Sequence, residues 1–237
     1  MTPEQAAHDL APAVLRVPGA FMMDGATFTR GGELGFDGLD FYIAGRGGAL
    51  GDVPADVVAA ALVFFSRDVV APAWDRSAAV MPRRTAAEEW AKCAHAWAEA
   101  NLPDGVDYGR LACLLGRVVR DASVASAPIF AGWRSLPEPS SDRALALHRL
   151  NAIRELRGAL HGAAILTVGL SPLEAVIVRS PAMVGVFGWP EPYPEPEPLH
   201  DRWGLAEART DRMVGRNLAV LDAAEREELV ALTTALA

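Results

Sequence analysis

The stretch Leu147-His-Arg-Leu-Asn-Ala-Ile-Arg-Glu-Leu-Arg-Gly-Ala-Leu-His161 decides the fold of this chain. It predicts one long helix that carries two arginines and a histidine on a stripe flanked by apolar residues. Ion-forming side chains set into an apolar surface are costly unless they meet a partner or a ligand. The helix is therefore the first place to look for a functional site.

Start and stop signals on either side of this stretch predict further helices. Ser140 to Asp142, after a proline, form a capping sequence for the long helix, and Gly169 is its C-terminal stop. Thr2-Pro3 with Gln5, Ser171-Pro172, and Asp222 with Glu225 are helix starts of the same kind. The chain contains no convincing run of alternating strands, and the predicted fold is an all-α, multi-helix bundle.

Prolines and glycines predict where the helices are interrupted. The first helix is expected to bend or end at Pro12, or to end at Pro18 at the latest, and the glycine-rich segment 19–38 is expected to be a loop. Trp189 to Pro198 alternates proline with glutamate or tyrosine, which predicts an extended connector. The expected organisation is a helical core domain at 1–185, a Pro/Glu-rich connector at 186–201, and C-terminal helices at 202–237 that pack on the core.

Composition excludes several classes of function. The 237 residues carry a net charge of −8 at pH 7, which argues against a broad nucleic-acid surface. The start of the chain lacks the pattern of a signal peptide, and charge, glycine or proline interrupts every apolar run, so we expect a cytoplasmic protein without a membrane partner. The histidines form no ligand-like spacing, so no metal site is predicted, and the cofactor stays unknown.

The helical register of the long stretch brings three of its side chains together. At about 100° per residue, Arg154, Arg157 and His161 fall within an arc of about 60°. One interpretation is that the arginines pair with carboxylates and lock helices together, while His161 is a core histidine. The other is a pocket in which the arginines bind a carboxylate or phosphate and His161 transfers a proton. His148 and Glu155 point about the other way along the same helix.

Three segments resemble a known family. They are Tyr42 to Gly51, Val57 to Phe65, and Leu147 to His161, and a weaker echo lies at Glu207 to Arg212. The family is the actinobacterial group usually labelled MarR-like or winged helix-turn-helix, and the resemblance covers roughly residues 39–178. It implies a helical body followed by a winged helix near the C-terminus. The place of that winged helix is occupied here by the Pro-Glu connector, in which no recognition helix can form.

The first hypothesis combines the register with the positions that match the family. It is a helical protein that binds a small anionic molecule in an Arg/His pocket, and it could be an enzyme that uses acid/base chemistry. The predicted catalytic residue is His161, and the predicted ligand-binding residues are Tyr42, Arg46, His148, Arg154, Glu155 and Arg157. The alternatives are a transcriptional regulator of the winged helix-turn-helix type and a non-catalytic interaction protein. The predicted partner is a small-molecule ligand, nucleic acid is not expected, and a homodimer is left open.

Overall fold

Helices form the whole regular structure of this protein. The structure, a computed structural model, describes residues 1–236, and that part of the chain contains twelve α-helices and no strand. The helices are α1 (Pro3–Met22), α2 (Gly25–Leu34), α3 (Asp40–Gly47), α4 (Ala55–Ala61), α5 (Arg67–Ser77), α6 (Arg83–Asn101), α7 (Tyr108–Asp121), α8 (Pro128–Trp133), α9 (Asp142–Thr167), α10 (Pro172–Arg179), α11 (His200–Leu218) and α12 (Ala223–Thr234). The all-α, multi-helix prediction is confirmed.

Helix α9 is the central element of the bundle. It packs against α1, α6, α7, α8, α10 and α11. Leu147, Leu150 and Ile165 on this helix are completely buried. The helix starts after Ser141, whose hydroxyl donates to Glu99 instead of capping the backbone. It ends before Gly169, whose positive φ of 75° is readily adopted only by glycine. The long helix expected from the sequence is therefore present, with its ends near the expected residues.

The N-terminal region differs from the prediction. Helix α1 continues through Pro12 and Pro18 to Met22, and α2 occupies much of the segment expected to be a loop. Each internal proline removes one backbone hydrogen bond, but Phe21 and Met22 are almost fully buried and stabilise the last turn by packing. Asp24 then caps α2 by accepting a hydrogen bond from the backbone N–H of Ala26.

The connector and the last two helices lie against the rest of the bundle. Residues 190–196 contain no helix, in agreement with the proline pattern, and a short 3-10 turn at Glu197–Leu199 leads into α11. The indole N–H of Trp189 donates to the carbonyl of Phe64 at 2.9 Å, which attaches the connector to the segment after α4. Helix α11 packs on α1 and α9, and α12 packs on α1 and α7.

The length and apolar character of the helices bear on whether one of them could cross a membrane. Among residues 1–236, no single helix has both the length and the apolar character that a span needs. The pair α9 and α10 meets those two requirements together, but it is bent by 111°.

Candidate functional site

A cavity of about 190 Å³ lies beside the C-terminal half of α9. Its other walls come mainly from α3, from residues 61–65 at the end of α4 and just after it, and from α10 and α11, with single contributions from α1, the start of α8 and Phe187. One part of the wall is apolar and includes Leu62, Val63, Phe64, Phe65, Ile129, Val176, Phe187 and Trp203. The other part is polar and includes Tyr42, Arg46, Arg154, Glu155, Arg157, His161, Arg179, Ser180 and Glu207.

Glu155 is the centre of one polar cluster in this wall. Arg46 of α3 donates to both of its carboxylate oxygens, at 3.1 and 2.8 Å, and Arg154 donates to one of them at 3.0 Å. Arg46 also donates to the hydroxyl of Tyr42 at 2.8 Å. Burial raises the pKa of Glu155, but the charges of Arg46 and Arg154 outweigh burial and hold this pKa below its ordinary value. Glu155 is therefore a buried, ionised carboxylate.

His161 and Arg157 form the second polar cluster, together with α11. Arg157 donates to Glu207 at 2.6 Å. The hydroxyl of Thr210 donates to the carbonyl of Ala206, so it accepts from Nδ1–H of His161 at 2.9 Å. This assigns the proton of the imidazole to Nδ1 and leaves the lone pair on Nε2, which lies 3.6 Å from Glu207. Burial lowers the pKa of His161 to about 4, so the ring is neutral at pH 7.

Three buried polar atoms of these residues are not used by the protein. Nε of Arg154, Nε of Arg157 and Nε2 of His161 make no hydrogen bond with another group in residues 1–236. The side chains of Arg157 and His161 are only 5% and 6% exposed. Four guanidinium groups and two glutamates line the cavity, so positive charge is in excess although the whole chain carries −8. The wall can therefore hold an anion that also accepts hydrogen bonds.

The structure brings most of the sequence-predicted residues together. Tyr42, Arg46, Arg154, Glu155, Arg157 and His161 all line the cavity. The helical register of α9 did not require Glu155 to share a pocket with Arg157 and His161, but Glu155 lines the same cavity and Arg46 reaches it from α3. The sequence left two interpretations open, arginines paired with carboxylates or arginines lining a pocket. In the structure the same arginines pair with carboxylates and line the cavity.

His148 does not line this cavity. It lies on the N-terminal half of α9, where its Nδ1 is 3.1 Å from Nε2 of His95 on α6. Burial lowers the pKa of both histidines to about 4. The ring of His148 packs on Trp133 and lines a separate cleft of about 250 Å³. His148 therefore cannot contact a ligand that occupies the cavity beside His161.

Sequence reasoning assigned no role to the residues that α11 contributes. Glu207 and Thr210 face Arg157 and His161, and the indole of Trp203 makes an edge contact with the His161 ring. The weak family echo that begins at Glu207 was a signal for this segment, but it did not show which helix the segment would contact.

The cavity and the rest of the described chain offer few metal ligands close together. Within residues 1–236, no group of three or more His, Cys, Asp or Glu side chains is arranged to hold a metal ion. The polar groups of the cavity are instead dominated by arginines, which bind anions.

The chain is similar to a known protein family. A family model described as a helix-turn-helix family matches residues 9–196, which include α3, α9 and α10. No curated protein and no solved structure matches the chain.

Proposed function

The chain belongs to the helix-turn-helix family, and from the geometry of the cavity lined by Arg154, Arg157 and His161 we propose that it binds a small carboxylate there. The observation that carries the proposal is the set of three buried atoms, Nε of both arginines and Nε2 of His161, that have no protein partner in residues 1–236. A buried donor without a partner costs about 1–3 kcal/mol. A ligand carboxylate would offset the excess positive charge of the lining, and it would give these arginines an acceptor once their side chains turn toward it.

The size and lining of the cavity indicate the class of ligand. A dry cavity of roughly 150 Å³ is large enough to hold benzene, and this cavity measures about 190 Å³. Its apolar wall includes Phe64, Phe65 and Phe187, which suit contact with a ring. The ligand class that fits both walls is a carboxylate attached to a single ring.

His161 gives this site a candidate for proton transfer. It is neutral, its Nδ1–H is engaged by Thr210, and the lone pair on Nε2 is free of protein donors in the part of the chain that the structure describes. A ligand hydroxyl beside the carboxylate could donate a hydrogen bond to Nε2 or lose its proton to it. This is the form in which we propose that the site has acid/base chemistry.

Titration with benzoate by isothermal calorimetry tests the proposal. We expect binding in the wild type and a loss of at least about tenfold in affinity in Arg157→Ala, since this change removes a charge-assisted hydrogen bond. The control is Arg16→Gln on α1, which removes the same charge from an exposed position outside the cavity. Circular dichroism verifies that each variant is folded. Absence of heat at millimolar benzoate, or equal affinity in Arg157→Ala and the control, would refute the proposal.

The second candidate function is that of a transcriptional regulator, and the geometry of α9 and α10 favours it. The two helices meet at 111° across the short turn 168–171, which contains Gly169. Helix-turn-helix units join two helices at about 90–120° by a turn of this kind. Against this function, α10 contains one basic residue, Arg179, and Ala175, Val176 and Ile177 are buried.

A mobility-shift assay at low salt distinguishes the two candidates. Retardation of genomic DNA fragments that is reduced in Arg179→Ala would support the regulator. If the DNA is not retarded and benzoate binds, the result would support the ligand-binding function and contradict the regulator. A non-catalytic interaction protein, including a homodimer, would be supported if neither benzoate nor DNA binds and the mass in solution exceeds that of one chain.

A further inference from the structure

The cleft beside His148 is a second basic site, and no residue lines both this cleft and the cavity described above. It measures about 250 Å³ and is formed by α7, by Arg134 and Glu138 between α8 and α9, and by the N-terminal half of α9. Its charged and titratable lining residues are Arg120, Arg134, Glu138, His148 and Arg149. Three guanidinium groups therefore face a single carboxylate.

The guanidinium groups of Arg120 and Arg149 converge over Gly116. A Cβ atom at Gly116 would lie 2.5 Å from Nη1 of Arg149 and 3.2 Å from Nη1 of Arg120. The absence of a side chain at Gly116 therefore allows the guanidinium groups of Arg149 and Arg120 to lie close to the backbone of α7 at this point. Two like charges that approach each other repel, and a bound anion between them would replace that repulsion with attraction.

The protein itself neutralises only one of the three arginines. Arg149 donates to both oxygens of Glu138 at 2.8 and 2.7 Å. Arg134 donates to the carbonyls of Val119 and Ala122, which end α7 and carry no full charge. Arg120 makes no hydrogen bond with any protein group among residues 1–236, and its side chain is exposed at the mouth of the cleft.

His148 lies at the buried end of the same cleft. The residue is 2% exposed, and its Nδ1 edge is occupied by His95 at 3.1 Å. Nε2 is therefore the ring nitrogen that is left to form a hydrogen bond with a ligand in the cleft. When His95 donates through Nε2–H to Nδ1 of His148, the proton of the His148 ring lies on Nε2, and the ring becomes a donor toward an anion.

We propose that this cleft binds a phosphate group, with Arg120, Arg134 and Arg149 around its oxygens and His148 as a buried donor. A phosphate dianion matches the three guanidinium groups better than a carboxylate does, since it carries more charge and more acceptor oxygens. The group could be free inorganic phosphate or the phosphate of a small monoester, and both present the same oxygens to the cleft.

The test measures the binding of inorganic phosphate and of phenyl phosphate to the full chain by calorimetry in a phosphate-free buffer. We expect Arg120→Gln to weaken both by about tenfold or more, and the exposed control Arg16→Gln to leave them unchanged. Gly116→Ala is the second variant, because its Cβ would displace Arg149 and Arg120 while all charges are kept. We expect it to weaken binding as well.

Phosphate should also shift the ring-proton NMR signal of His148, while the signal of His161 stays in place. The His148 signal is assigned as the one that is missing from the spectrum of His148→Gln. Tighter binding of phenyl phosphate than of inorganic phosphate would assign the site to a monoester, and the reverse order would assign it to the free ion. The proposal is overturned if neither compound binds at millimolar concentration, or if Arg120→Gln and Arg16→Gln reduce binding equally. Benzoate affinity is expected to be unchanged in Arg120→Gln, so failure here is distinguishable from failure of the first cavity.

Discussion

Glu155→Gln gives the sharpest test of how the first cavity is built. The substitution keeps the shape of the side chain but removes the charge that Arg46 and Arg154 share. Glu155 is 3% exposed at the side chain, Arg46 is 11% exposed, and their two hydrogen bonds measure 3.1 and 2.8 Å. Neutralising the carboxylate leaves the guanidinium of Arg46 buried without its counter-charge.

The expected loss of stability follows from that burial. Removing one partner of a buried ion pair costs about 3–5 kcal/mol, which is a large fraction of the roughly 5–15 kcal/mol that stabilises a typical domain. Urea denaturation followed by circular dichroism measures the change. The double variant Arg46→Met, Glu155→Leu removes both charges at once and should recover much of the loss. A cost below about 1 kcal/mol for Glu155→Gln would mean that the pair is not buried as described.

The same substitution should have the opposite effect on ligand affinity. A carboxylate held about 6 Å from a bound anion repels it by at most about 3 kcal/mol at an effective dielectric constant of about 20. Removing this repulsion should strengthen benzoate binding, by up to about a hundredfold, measured by calorimetry at a temperature where the variant is folded. A purely structural role for the arginines predicts less stability and no gain in affinity, and that result would refute the reasoning.

Three further predictions concern stability. Because burial lowers the pKa of His161 to about 4, the unfolded chain takes up a proton on acidification that the native chain does not. Stability should therefore fall by on the order of 3 kcal/mol between pH 6.5 and pH 4 from this residue alone, and urea titrations at several pH values should show a smaller fall in His161→Gln. Gly45→Ala would place a Cβ 2.5 Å from Cγ of the buried Trp90, and we expect a cost of about 1–3 kcal/mol in the same assay. Asp222→Ala removes the cap of α12 and should lower the thermal midpoint by the equivalent of about 1 kcal/mol.

Much of the fold could be predicted because its boundaries are encoded locally. The capping residues Thr2, Ser171 and Asp222 each accept a hydrogen bond from a backbone N–H three positions on, so the signal and the structure lie within one turn. The continuation of α1 through Pro12 and Pro18 could not be predicted in the same way. It depends on burial of Phe21 and Met22 against residues distant in the sequence, and this packing outweighs the lost backbone hydrogen bonds.

The site shows the same division between local and distant information. Helical periodicity placed Arg154, Arg157 and His161 on one side of α9, and these residues do line one cavity. The partners of Arg157 and His161 come from α11, and the arginine that meets Glu155 from another helix is Arg46 of α3. The register of α9 alone carries no information about which carboxylate will meet which guanidinium, and for this reason it did not show that Glu155 would share the cavity.

The two candidate functions of the first cavity are physically connected through α10. Val176 and Arg179 of this helix line the cavity, and the same helix is the second member of the pair that meets α9 at 111°. A ligand that contacts both α9 and α10 therefore has a differential affinity for any two arrangements of that pair, which is the requirement for a ligand to shift such an equilibrium. Both candidate functions therefore involve α10, and the benzoate and DNA experiments decide between them.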